Sequence, residues 1–239
     1  LKASVIDIEV LTDHAIYGAM YQVAIDQQIT TIVSGVNVAT EQVLPQGWIY
    51  DKLDDINIRS IYSAFGSGRK LTRYPFVDNS MRRKIRRSRI EIVRLLDQMI
   101  YDVEDAKGQI VQKLNWRAYE GKHFESIFTR FYQGHILPTK FGVDKRKAHL
   151  SNLICSGQLS KEEAIDQFGI ENYPAELKAQ DMVFVLKKLG LTQSEFDILM
   201  ESPPRRHRDF DQRGSFFAHY PVFKPLRPIW TKIKKSVEG

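Results

Sequence analysis

The sequence predicts an α/β protein in which a parallel sheet with flanking helices is followed by a mainly helical C-terminal region. Three observations carry this. The helix-patterned stretch Thr12 to Gln28 runs directly into the β-branched, apolar segment Ile29 to Asn37, which together form half of an α/β unit. Beyond Tyr74 to Phe76 the periodicity is predominantly helical. In that later part, Ser160 with Glu163 and Thr192 with Glu195 make two capping boxes, each ahead of an apolar run. Domain boundaries are placed accordingly at 1–76, 77–200 and 201–239.

Taken in order, Thr12 or Asp13 is expected to start the first helix, because their side-chain oxygens can accept from a free backbone N–H of the first turn. Ala15, Ala19 and Val23, beside Ile16, Met20 and Ala24, form its expected buried face. The strand that follows is expected to be fully buried and to break at Ser34-Gly35, leaving a loop at its carboxyl end. "FGSGRK", Phe65 to Lys70, is a turn by composition, and "RIEIVRLL", Arg89 to Leu96, fits a strand or a helix equally well. "GKHFESIFTRFYQ", Gly121 to Gln133, reads as an amphipathic helix with Lys122, Ser126 and Arg130 on one stripe and Phe124, Phe128 and Phe131 near another. The bland alternative is a solvated polar face. A helix over "RKAHLSNLICSG" should end at Gly157, and a short one over "DMVFVLKKLG" at Gly190, since glycine takes the left-handed closing position without a Cβ penalty. Pro203, Pro204, Pro221, Pro225 and Pro228 predict an extended tail with a short terminal helix.

Composition excludes several classes. With 43% hydrophobic and 11% aromatic residues in 239, the chain can bury a globular core. No apolar run approaches the ~18 residues of a membrane-spanning helix and no signal-peptide pattern is present, so a soluble, cytoplasmic protein without a membrane partner is expected. The single cysteine, Cys155, excludes an internal disulfide framework or a CxxC metal site. The net charge of +6 is local: "MRRKIRRSR", Met81 to Arg89, holds six basic residues and no acid, and the rest of the chain balances. Such a run can serve phosphate or anionic-surface binding, or be a solvated face. The chain starts at Leu1 in mid-pattern, from which an N-terminal portion is expected to precede it.

Candidate chemistry gathers in three places. "SGVNVATE" sets Ser34, Gly35, Asn37, Thr40 and Glu41 at the carboxyl end of the strand, where ligands of open α/β sheets bind. Asp13 and His14 open the preceding helix, and a helix start lies on the same sheet edge as a strand end. "LPTKFGVDKRKAHLS" adds Lys140, Asp144, Lys145, Arg146 and His149: Arg binds a phosphate or carboxylate as a planar fork, Lys as a movable point charge. HExxH and GxxxxGK[ST] patterns and a Ser-His-Asp arrangement are absent.

The motifs "TDHA", "SGVNVATE", "LTRYP", "GKHFESIFTRFYQ" and "LPTKFGVDKRKAHLSNLICSGQLSKEEA" together resemble, in order from about Ala3 to Phe168, the N-acetyl sugar amidotransferases of bacterial surface-polysaccharide and nonulosonic acid pathways. The resemblance implies a PP-loop ATP pyrophosphatase fold with a HUP-like sheet, whose SGGxDS phosphate loop would lie upstream of Leu1. In that reading 1–76 is the end of the nucleotide-binding domain, 77–200 the substrate-binding region and 201–239 a basic tail. It further implies that ATP and Mg²⁺ activate an acetamido oxygen as an adenylate, and that ammonia from glutaminase and ammonia-channel subunits, similar to the histidine-pathway pair, displaces AMP to leave an acetamidino group. Lys122, His123, Glu125 and Arg130 become the catalytic candidates. Asp13, Ser34, Gly35, Asn37 and Glu41 become those for the nucleotide, and His14, Ser126, Thr129, Lys140, Asp144, Arg146 and His149 those for the sugar. The rivals are a tRNA-thiolating enzyme of the same fold, holding phosphates through Arg82 to Arg89, and a non-catalytic scaffold that binds a partner there.

Overall fold

The computed structural model describes residues 1–117, 125–171 and 173–214. In chain order these form α1 (Val10–Asp26), β1 (Thr31–Ser34), α2 (Val38–Glu41), α3 (Asp55–Phe65), α4 (Asn79–Arg87), β2 (Glu91–Arg94), α5 (Val103–Leu114), α6 (Ile127–Phe131), α7 (Leu137–Phe141), α8 (Arg146–Cys155), α9 (Lys161–Gly169), α10 (Ala175–Leu189) and α11 (Gln193–Glu201). The chain divides into two compact units. One comprises Leu1–Ile29, Tyr50–Arg89 and the chain from Arg205; the other comprises Thr30–Ile49 and Ile90–Pro204.

In the first unit α1 packs against α3 and α4. Its inward residues are Val10, His14, Gly18, Tyr21 and Ala24; of the face expected from periodicity Ala24 alone is among them, while Ile16 is 60% exposed and Val23 56%. Apolar residues lie all round this helix, so hydrophobic spacing does not choose a face, and local fit does. Gly18 decides it, because a Cβ there would sit 1.9 Å from the Pro75 carbonyl oxygen. The helix starts one turn earlier than its capping residues suggested, at Val10 after Glu9 without a side-chain cap. Ala3, Val5 and Phe210 form a small apolar core with Ile61 and Phe65 against it, and Val5 bridges Arg205 in parallel.

In the second unit β1 and β2 pair in parallel with Thr31 opposite Glu91 and Ser34 opposite Arg94. The undecided Arg89–Leu96 stretch thus supplies a strand followed by a 3-10 turn, Leu95–Gln98. Among the described residues this is the whole sheet, and a HUP-like sheet is not visible in it. β1 is not fully buried as expected: Val33 is 64% exposed and Ile92 on β2 44%. A sheet of two strands has too few neighbours to cover both of its faces, and such side chains stay open.

The helical remainder follows its local signals closely. Ser160 and Thr192 both close capping boxes with Glu163 and Glu195, and Gly157 and Gly190 take φ of +73° and +63°. α10 begins earlier than expected, at Ala175. Of the Gly121–Gln133 stretch, 121–124 lie outside the described residues. From Ser126, an N-cap, the chain forms α6, a π turn Tyr132–Ile136, and then α7. The π turn brings the backbone at Gly134 against the Tyr173 ring, 2.7 Å from where a Cβ would stand. Phe131, Tyr132, Ile136 and Leu137 are fully buried here, and Phe131 packs on Phe196 of α11 at 5.9 Å between ring centres. The extended tail is described only to Gly214, with a 3-10 turn at His207–Asp209.

Candidate functional site

The turn after β1 is built by its own side chains. Ser34 Oγ accepts from the Val36 N–H at 3.2 Å, and Asn37 caps α2 by accepting from the Thr40 N–H at 2.9 Å. Asp97 Oδ1 accepts from the Val38 N–H at 2.7 Å, tying this turn to the chain just past β2. Asn37 is 5% exposed and Gly35 meets nothing within 4 Å in the direction of a Cβ. Ser34, Gly35 and Asn37 therefore shape the turn, which brings Glu41 onto the side of α2 that packs on α8.

Between α2 and α8 lies a cleft of about 220 Å³. Glu41 and Thr40 line one wall, Lys145 and His149 the other, with Val36, Val43, Leu44 and Ala148 as apolar surround. The floor is Asn152, 3% exposed, whose Oδ1 accepts from the Val43 N–H at 2.5 Å while its Nδ2 donates to the Val43 and Ala148 carbonyls at 3.1 and 2.9 Å. A carboxylate, an ammonium and an imidazole thus converge on a half-apolar hollow, which is the composition of a small-ligand site. Of the residues singled out from sequence, Thr40, Glu41, Lys145 and His149 meet here. Asn152 completes the site, and nothing in the spacing marks it as the pin of a loop 109 residues away. Asn152→Ala is expected to lower stability by ~1–3 kcal/mol, the cost of leaving buried polar backbone unmatched. Thermal unfolding checks this; an unchanged midpoint would mean the Val43 segment is held by other means.

The other residues singled out from the sequence are placed as follows. Arg130 forms a forked pair with Asp181 through Nε and Nη2, both at 2.7 Å, and Tyr173 donates to the same carboxylate at 2.8 Å. Burial alone would raise the Asp181 carboxyl, but these donors hold it below its ordinary value. Arg146 forks onto Asp144 and donates to the carbonyls of Phe168 and Ile170 at the end of α9. Lys140 donates to the Leu199, Met200 and Ser202 carbonyls at the end of α11, and burial lowers its ammonium. Ser126 caps α6 and accepts from the Thr129 hydroxyl at 2.9 Å. Glu125 sits in the turn before it; Lys122 and His123 lie outside the described residues.

Asp13 and His14 belong to the first unit, in a buried polar network that no sequence spacing announced. Lys52 bridges Asp7 at 2.6 Å and Asp13 at 2.8 Å; burial would lower its ammonium, and the two carboxylates raise it. His14 is fully buried, with Nδ1 at 2.8 Å from the Lys52 carbonyl and Nε2 accepting from the Val77 N–H at 2.9 Å. A carbonyl only accepts and an N–H only donates, so His14 is the neutral Nδ1–H tautomer, and burial lowers its pKa. Asp54 accepts from the Tyr50 hydroxyl at 2.6 Å and from the Asn57 and Arg213 N–H groups. The Tyr50 ring stacks on His207 at 4.1 Å.

With this geometry in place, the chain can be set beside known proteins. Residues 125–225 match the family model described as LPS biosynthesis protein WbpG-like, C-terminal domain. No curated protein and no solved structure matches significantly. The WbpG-like match supports the relationship expected from the motifs, and fits an enzyme of sugar modification in polysaccharide biosynthesis. It covers Lys145, His149 and Asn152, while Thr40 and Glu41 lie outside it. No helix among the described residues is long and apolar enough to cross a membrane.

Proposed function

We propose that the chain carries the acceptor-sugar part of an ATP-dependent N-acetyl sugar amidotransferase, converting an acetamido to an acetamidino group. The observation that carries this reading is the cleft itself: Glu41 from the "SGVNVATE" turn faces Lys145 and His149 from "DKRKAHLS", the stretch inside the WbpG-like region. Glu41 accepts the acetamido N–H. Lys145 and His149 donate to the acetamido oxygen of the bound sugar and orient it, and the apolar surround seats the methyl group. Lys122, His123 and Glu125, immediately ahead of α6, would supply the cation and the base for ammonia attack. Arg130, tied to Asp181, positions α6 for them.

The described residues do not by themselves fit ATP with magnesium: the cleft lies below the ~300–1,000 Å³ of drug-sized sites, and none of their His, Cys, Asp and Glu side chains cluster in a metal-binding group. ATP and Mg²⁺ are assigned to an upstream Ser-Gly-Gly-x-Asp-Ser loop and ammonia to glutaminase and channel subunits, as the motif resemblance implies.

The test uses the full-length protein with an ammonia source and an N-acetylated sugar, following AMP release. Lys145→Met and His149→Asn are expected to lower kcat/KM by ~10²-fold, the loss that follows removal of one oriented electrostatic contact. Their thermal midpoints should stay within about 2 °C of the parent, since a shift of that size corresponds to less than ~1 kcal/mol. Full turnover in both variants would show that the cleft is not the acceptor site. Absence of sugar-dependent AMP release in the parent itself would overturn the amidotransferase reading.

A further inference from the structure

The basic run that composition isolates lies on α4, and the structure orders its charges. Met81 is 9% exposed and Ile85 half-buried, both turned toward the body of the first unit, while Arg83, Lys84, Arg86 and Arg87 are exposed, as is Arg89 just beyond the helix. At ~100° per residue, the four exposed cations of the helix spread over roughly half its circumference, centred opposite the Met81–Ile85 stripe. Arg82 is the exception and is used internally: its Nε and Nη2 donate to the carbonyls of Val77 and Leu53 at 3.2 and 2.5 Å. Asp78 at the N-terminus is spent as the cap, accepting from the Met81 N–H at 3.0 Å. Among the described residues, none of the five outward cations is joined to a carboxylate.

We infer that the outer face of α4 is a docking surface for an anionic phospholipid membrane, on which the protein lies without inserting. Three features favour this occupant. Five exposed cations within seven residues reach the density at which polybasic helices hold anionic lipid. The two apolar side chains of α4 point inward, so the helix offers headgroup contact and no apolar wedge. The exposed arc contains no aromatic ring, which single-stranded nucleic-acid sites use to stack bases. The inference is independent of the acceptor cleft, which lies in the other unit, and it replaces the expectation of no membrane partner with a peripheral one.

The experiment is co-sedimentation of the full-length protein with vesicles of phosphatidylcholine alone and of phosphatidylcholine with one quarter phosphatidylglycerol, at physiological salt. The parent is expected to bind only the anionic vesicles, and the triple variant Arg83→Gln, Arg86→Gln, Arg87→Gln to lose at least ~10-fold in partition coefficient. Gln has nearly the helix propensity of Arg, so the thermal midpoint should not move. Equal binding of parent and variant, or none by the parent, overturns the inference. So does a loss confined to binding of a duplex RNA, with vesicle binding intact, which would make the surface a nucleic-acid face instead.

Discussion

Replacing Arg130 with alanine is expected to lower the thermal midpoint by about 10 °C, before any effect on chemistry is considered. The Asp181 side chain is 4% exposed and receives both arms of the Arg130 guanidinium at 2.7 Å. Removing the cation leaves a buried carboxylate with only the Tyr173 hydroxyl of the three donors that hold it. Breaking a buried pair from one side costs ~3–5 kcal/mol, because the remaining charge stays desolvated, and for a chain of this size each kcal/mol moves the midpoint by roughly 2–4 °C. The joint replacement Arg130→Met, Asp181→Leu should recover much of the loss, since it removes the stranded charge as well. Differential scanning calorimetry of the three variants decides the matter. An Arg130→Ala protein that keeps its midpoint but loses turnover would show the guanidinium acting on the substrate rather than on α10.

The second large effect is on acid stability. Asn57 Nδ2 donates to the carbonyls of His207 and Asp211, so its Oδ1 must accept, and His207 Nδ1, 2.8 Å away, must carry the proton. His207 is 5% exposed beneath the Tyr50 ring. Burial, only partly offset by Asp7 and Asp54, pushes its imidazole down from 6.5 to about 4. A folded-state value below the unfolded one means that the unfolded chain binds the extra proton between those limits. The stabilisation is therefore complete above about pH 6.5 and is lost as pH falls toward 4, by roughly 3 kcal/mol in all. His14, lowered by burial in the same unit, adds in the same direction. Urea unfolding of the parent and of His207→Gln at pH 7.5, 5.5 and 4.5 should give a less stable variant at the highest pH and a flatter pH dependence. Parallel curves for the two proteins would exclude His207 as the source.

How much of this was legible in the sequence depends on range. The capping boxes at Ser160 and Thr192 and the closing glycines 157 and 190 were readable because both partners lie within four residues. The β1–β2 pairing was not, since Arg89–Leu96 fits either periodicity and its choice is made by Thr31–Ser34, sixty positions away. α1 turned a different face inward because the Pro75 carbonyl presses on Gly18, a contact that hydropathy does not encode. In the site, Glu41 and His149 were legible as residues that could carry chemistry, and the structure places both on one cleft. Arg146 and Lys140 carried the same signals but hold the ends of α9 and α11. A cation committed to carbonyl oxygens looks, in one dimension, like a cation waiting for a phosphate.

The first unit is closed by the end of the described chain: Val5 bridges Arg205, Asn57 holds the carbonyls of His207 and Asp211, and the Arg213 guanidinium pairs with Asp55. This has a consequence for synthesis on the ribosome. The earlier segments of this unit, Leu1–Ile29 and Tyr50–Arg89, cannot finish folding until the residues near 213 have left the exit tunnel, whereas both strands of the second unit and the helices that follow them are complete earlier. At ~5–20 residues per second, Asp54, Asp55 and Asn57 wait on the order of ten seconds for their contacts with His207, Asp211 and Arg213. During that interval a half-built face, lacking its closing segment, is what chaperones and partner subunits would meet.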